Sequence, residues 1–115
     1  MILARMLRKM LHVEVDEAEN AEQVFACVKQ NGEYAVLWQD FALGDNQPNG
    51  GEICTMLRKQ YQYKGVIIAL TGFTDQKTQE TCRACGMNAF VGKPFDVKRV
   101  RELGLKYAYP PVSEI

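Results

Sequence analysis

The chain has no excess charge of either sign, almost no histidine and no long apolar run. Its 14 basic and 14 acidic residues cancel. No global field exists to hold nucleic acid or an acidic membrane surface, and the basic residues are scattered over predicted helices rather than gathered in a patch. No apolar run approaches the roughly 18–20 residues of a membrane span. The only histidine, His12, leaves a histidine-based catalytic triad a single candidate. The four cysteines (Cys27, Cys54, Cys82 and Cys85) show no repeated spacing, so reduced thiols in a cytoplasmic protein are expected rather than a disulfide framework. "CRAC" (82–85) stands alone: zinc would need about four ligands. A redox CxxC opens a helix, where the dipole lowers the thiol pKa, whereas this one falls near a helix end. "GDNQPNGG" is rich in glycine but lacks the lysine-threonine ending of a nucleotide-binding loop.

A chain of 115 residues suits one domain. Residues 2–11 place Ile2, Leu3, Met6, Leu7, Met10 and Leu11 on one helix face and Arg5, Arg8 and Lys9 on the other. Internal charges exclude a secretory leader. Arginine content and amphipathicity leave a mitochondrial leader as the lesser alternative to a domain helix. "VEV" (13–15) alternates like a short strand. Asn20 and Gln23 form a capping-box pattern before a helix carrying Ala21, Val24, Phe25 and Val28, which "NG" (31–32) ends. "YAVLW" (34–38) is a continuous apolar run that stops at Gln39-Asp40, as suits a strand buried on both faces. After the loop "FALGDNQPNGG" (41–51), a helix with Ile53, Leu57 and Tyr61 is expected, closed by Gly65. "VIIAL" (66–70) is the strongest strand and ends at Thr71-Gly72. Asp75 caps a helix to about Cys85, stopped by Gly86. "AFV" (89–91) is a strand ended by Lys93-Pro94, and residues 96–103 form a short last helix. This alternation predicts an open parallel sheet with helices on both faces. The domain is expected at 1–104, with 105–115 as a mobile or docked tail.

Ligands of open α/β sheets bind beyond the carboxyl ends of the strands. Asp40, Thr71 and Lys93 end three predicted strands. A carboxylate, a hydroxyl and an ammonium at one rim suit a phosphoryl group: the first as nucleophile, the second as hydrogen-bond donor, the third as point cation. Each has a plainer reading as a solvated strand-end residue, and Phe90 reads equally well as core.

With "YAVLWQD", "VIIALTG" and "GMNAFVGKPF" in place, the sequence resembles the receiver domain of two-component response regulators over roughly residues 2–104. The resemblance implies a flavodoxin-like (CheY-like) α/β fold. It makes Asp40 the phosphoacceptor for a phosphohistidine donor, from a histidine kinase or a histidine phosphotransfer protein. Thr71 and Lys93 become its partners, Lys93 with a cis bond to Pro94, and Phe90 the switch aromatic. Magnesium would be the cofactor, bound by Asp40 and the backbone carbonyl of Ala42. An output domain or protein would dock on the face at 75–104, with Asp75, Phe90, Val97 and Val100 as its markers. No enzyme activity beyond self-phosphorylation and self-dephosphorylation at Asp40 is implied. The competing reading is a phosphorylation-independent interaction module.

The resemblance has two departures. Receivers begin with a central strand, between the second and third, whose end carries two acidic residues that hold magnesium. This chain starts at the helix that follows, so a weak or absent magnesium site is expected. A fragment or alternative start, a truncated receiver that keeps a binding face, and strand donation by another chain or within a dimer each account for this. The loop after Asp40 is also longer than the family pattern by about three residues, with Asp45 as a further carboxylate.

Overall fold

The computed structural model describes residues 2–32, 34–40, 49–72 and 75–108. Helix α1 spans Ile2–Leu11 and α2 spans Ala21–Asn31; strand β1 is Val36–Asp40. There follow α3 (Gly50–Lys59), β2 (Val66–Thr71), α4 (Gln76–Ala84), β3 (Ala89–Gly92) and α5 (Val97–Ala108). The three strands form one parallel sheet in the order β1-β2-β3.

The sheet is covered on both faces. Ile68, Leu70 and Val91 pack with Leu3, Leu7 and Leu11 of α1 and with Val100 and Leu103 of α5. On the other face Ile67 and Ala69 meet Val28 of α2, Ile53 and Leu57 of α3, and Cys82 of α4. Ile67, Ile68 and Ala69 are fully buried, as the uninterrupted apolar run of β2 requires of a strand covered on both sides. The Asn20 side chain caps α2 by accepting the Gln23 N–H at 2.9 Å. In return the Gln23 side chain accepts the Glu19 N–H at 2.7 Å. Asn49 caps α3 in the same way through the Glu52 N–H.

Four expectations change. Residues 13–15 form no strand: Val13 and Val15 pack against the α1/α5 side of the core, but their backbone joins no ladder among the described residues. Alternation alone does not make a strand without a neighbour to pair with. Helix α3 stops at Lys59, before Tyr61. The chain turns at Gln62, which has a positive φ, and Tyr61 stacks on Phe25 at 5.0 Å between centroids. Gly65 therefore closes no helix. It opens β2, where a Cβ would lie 2.7 Å from the Tyr63 hydroxyl and 2.9 Å from the Tyr34 carbonyl oxygen. The last helix runs on to Ala108, past the expected boundary at 104. Gly104 lies inside it, buried, where a Cβ would collide with Leu11 Cδ1. Its small size admits α1 rather than ending α5. Residues 109–115 of the expected tail lie outside the described residues.

Arg58 does work that its place on a charged helix face did not announce. Its guanidinium donates to the carbonyls of Tyr63 and Gly65 at 2.8 Å each, to that of Gly86 at 2.8 and 3.1 Å, and to Asn88 Oδ1 at 3.1 Å. Asn88 Oδ1 also accepts the Ile67 N–H at 2.9 Å. One side chain thus ties the turns after α3 and α4 to the start of β2. Arg58→Ala is expected to lower stability by about 2–4 kcal/mol, because several carbonyls lose a charged donor at once. Urea denaturation checks this, and Arg58→Lys is expected to recover less than half of the loss.

Candidate functional site

The register of the sheet sets the site. Asp40 lies opposite Leu70, and Thr71 lies opposite Gly92. The carboxyl ends of the three strands are therefore level within about one residue. The Lys93 N–H extends the ladder by donating to the Thr71 carbonyl at 2.8 Å. The Lys93-Pro94 peptide bond is cis. Across the rim, Lys93 Nζ contacts Asp40 Oδ2 at 2.7 Å. Thr71 is buried, whereas the Asp40 and Lys93 side chains are each 36% exposed. The arrangement therefore presents a solvent-accessible carboxylate already paired with a cation, beside a buried hydroxyl-bearing residue on the middle strand.

Gln39 is the contributor that the motifs did not single out. It is buried, and its Nε2 donates to the Asp40 carbonyl at 3.0 Å, which fixes the last peptide of β1. An amide before an acidic strand end carries no pattern of its own, so only coordinates reveal it.

Magnesium requires an octahedral oxygen shell. No cluster of three His, Cys, Asp or Glu side chains gathers among the described residues, and an ammonium sits on Asp40 Oδ2. The described residues do not fit the ion. Ala42 and Asp45 lie outside them.

The proposed partner face is mixed. Asp75 is exposed at the N-cap position of α4, with extended backbone. Its carboxylate accepts the Thr78 hydroxyl instead of a helix amide, and that bond is the main cause holding its pKa below the usual carboxylate value. Val97 is 51% exposed. Phe90 packs against the α2–α4 side of the core and lines a cavity of about 210 Å³ that also touches α4 and α5. Val100 has to be withdrawn from the face: it is fully buried against α1 and the sheet, because α5 turns Val100 and Leu103 inward at helical spacing.

The profile of the response regulator receiver domain family matches residues 1–103. The chain belongs to that family. Probable histidine kinase 4 of Oryza sativa subsp. japonica is 31% identical over 100 residues, which are 87% of this chain and 9% of that protein. The chain therefore spans about a tenth of the length of this curated relative. The receiver domain of NtrX from Brucella abortus superposes with a TM-score of 0.81 at 18% identity, covering 92% of this chain and 86% of the other. The chemotaxis protein CheY4 of Vibrio cholerae gives 0.77 at 22%, covering 93% and 90%. These likenesses show the flavodoxin-like receiver fold. Receiver domains are signalling modules that interact with histidine kinases or phosphotransfer proteins and with output domains, and they typically bind magnesium at an acidic pocket. No helix among the described residues is long and apolar enough to cross a membrane.

No cysteine joins a group of three metal-ligating side chains among the described residues. All four described cysteines are free. Burial pushes the Cys54 thiol up to about 11, and burial likewise raises Cys82. Cys54 Sγ donates to the Cys85 carbonyl at 3.1 Å. Since the thiolate is the nucleophile, iodoacetamide at pH 8 is expected to label Cys27 and Cys85 ahead of Cys54 and Cys82 in the folded protein. Peptide mass spectrometry reads the order, and the four rates converge in urea.

A second expectation concerns the ion pair. It is about a third exposed, so Asp40→Asn and Lys93→Met are each expected to change stability by less than about 1 kcal/mol. Thermal denaturation measures this and establishes whether either variant can be used in functional assays.

Proposed function

We propose that Asp40 is a phosphoacceptor and that the chain acts as a receiver in a phosphorelay, taking a phosphoryl group from a phosphohistidine donor. The observation that carries this reading is the Asp40–Lys93 contact at 2.7 Å, made by residues 53 apart in sequence. An Asp40 carboxylate oxygen attacks phosphorus, an O–P bond forms and the P–N bond breaks. The imidazole nitrogen leaves with the bonding pair and takes a proton from solvent. Lys93 offsets the added negative charge as it shifts from the carboxylate to a phosphoryl oxygen. Thr71 supplies a hydroxyl to the phosphoryl group, and Phe90 and Pro94 transmit the change toward the face of α4, β3 and α5. No step here is assigned to magnesium, because the described residues do not fit the ion. A histidine kinase or phosphotransfer protein is the donor class, and an output domain or protein is the receiver of the signal.

The second reading is a phosphorylation-independent interaction module. It is favoured by the surroundings of Phe90: Arg83, Arg99 and Lys106 line the same cavity, with no carboxylate among its lining residues. At about 210 Å³ the cavity takes a side chain rather than a small-molecule ligand.

Beryllofluoride separates the two. With the first reading, it is expected to shift the amide resonances of Thr71 and Phe90, with and without magnesium compared, and the shifts vanish in Asp40→Asn. Lys93→Met is expected to lower phosphoryl uptake from a phosphohistidine donor by about 100-fold. Unchanged spectra at every magnesium level, with the Asp40→Asn protein still binding its partner, would establish the second.

A further inference from the structure

Three of the four cysteines gather on one side of the sheet. Cys54 of α3 and Cys82 of α4 are buried in the core cluster formed with α2, and Cys85 packs against that cluster. Cys27, on α2, is not part of it. Cys54 and Cys85 meet most directly: the Cys54 thiol donates to the Cys85 carbonyl at 3.1 Å, across 31 positions of sequence. A disulfide needs Cα atoms roughly 4–7 Å apart. A sulfur seated on its partner's own carbonyl meets that need for closeness. The pairing that "CRAC" suggests is less favourable. Residues three apart on a helix have Cβ atoms about 5–6 Å apart, whereas a disulfide holds them at about 3.5–4.5 Å. Joining Cys82 to Cys85 would therefore distort the end of α4.

The two thiols differ in ways that suit them to successive steps. Cys85 is half-buried, so an oxidant in solution reaches it before Cys54. Burial raises the Cys54 thiol, and the Arg58 guanidinium, which also holds the Gly86 carbonyl, acts in the opposite sense. The place of the pair also matters. Of the residues of α4, Cys82 alone is buried. A helix with so little buried surface opens at low cost, and a covalent tie at its end would change that.

We propose that Cys85 and Cys54 are a peroxide-sensitive thiol pair whose disulfide ties the end of α4 to α3. The Cys85 thiolate attacks a peroxide oxygen, the O–O bond breaks, and the product is a sulfenic acid and water. The Cys54 sulfur then attacks the Cys85 sulfur. The S–S bond forms, the S–O bond breaks, and the departing hydroxide takes the Cys54 proton as water. The two sulfurs are oxidised and the peroxide is reduced. Cys82, Arg83 and Met87 line the cavity beside Phe90, so the tie fixes the helix that forms one wall of it. The inference stands apart from phosphorylation of Asp40 and does not depend on it.

The test uses the full chain. Excess hydrogen peroxide at pH 8 is followed by alkylation of the remaining thiols, trypsin digestion without reductant, and mass spectrometry. Arg83 lies between Cys82 and Cys85, so trypsin separates them and the linked peptide identifies the pair. Cys54 joined to Cys85 within one chain is expected, at least about tenfold more abundant than any link to Cys82, and dithiothreitol reverses it. Cys82→Ala is expected to leave the link in place. Cys54→Ser retains a hydroxyl that can donate to the Cys85 carbonyl, and in this variant dimedone is expected to trap the sulfenic acid on Cys85. In the oxidised protein, hydrogen exchange of the amides at 79–85 is expected to slow by roughly tenfold. Four results would overturn the proposal: oxidation of Cys85 with no link to Cys54, Cys82 as the main partner of either thiol, a link that forms only between chains, or a link that leaves exchange in α4 unchanged.

Discussion

Pairing of β2 on both of its edges is the constraint from which the rest of the molecule follows. Among the described residues it is the one strand with a neighbour on each side, and its residues 67–71 are all buried. Because both ladders are parallel, the carboxyl ends of all three strands arrive at one rim. A one-residue slip in either ladder would turn every side chain of the slipped strand to the opposite face. It would set Ile67 and Ala69 against α1 and α5, and Ile68 and Leu70 against α2 and α3. Hydrophobic burial on both faces therefore fixes the register, and the register places Asp40 and Lys93 within reach of one another.

The strand β1 is in a different position. Its composition is that of an interior strand, yet Val36, Leu37 and Trp38 are only half-buried, in contrast with the full burial of β2. Edge strands of soluble proteins usually carry charge, bulges or a cover. Here Asp40 is the only charge on the strand. Among the described residues "VEV" alternates and joins no ladder, while Val13 and Val15 pack on the α1/α5 side of the core.

What the sequence revealed and what it hid divide along a physical line. The strands read at 66–70 and 89–91 were legible as continuous apolar runs, and the helix at 2–11 by its helical period, because burial acts on their own residues. Asp40 and Lys93 were legible as strand ends. The errors came where a distant contact overrules a local signal. Tyr61 continues the helical spacing of α3, but the stack on Phe25 draws it out of the helix. The last helix was read as ending at 103, but it continues to Ala108, with Gly104 inside it where Leu11 approaches. Val100 looked available on a charged helix, but α1 covers it. Arg58 and Gln39 act through backbone carbonyls, which leave no mark in the sequence of the residue that binds them.

The outer edge of β1 and the cationic surroundings of Phe90, which belong to β3 and the helices beside it, lie on opposite edges of the same sheet. Between them lies β2, which is packed on both faces. The Asp40–Lys93 pair is a side-chain contact that passes over β2, from the end of β1 to the residue that follows β3. Its own contribution to stability is small, about 0–1 kcal/mol for a pair this exposed. Breaking it therefore costs the fold little, while it changes the charge that each edge presents. A change of charge at Asp40 would act first on Lys93, and that lysine lies three residues from Phe90 along the chain. The ion pair thus spans the rim above a strand buried on both faces, so its charge can change with little cost to the packing beneath it.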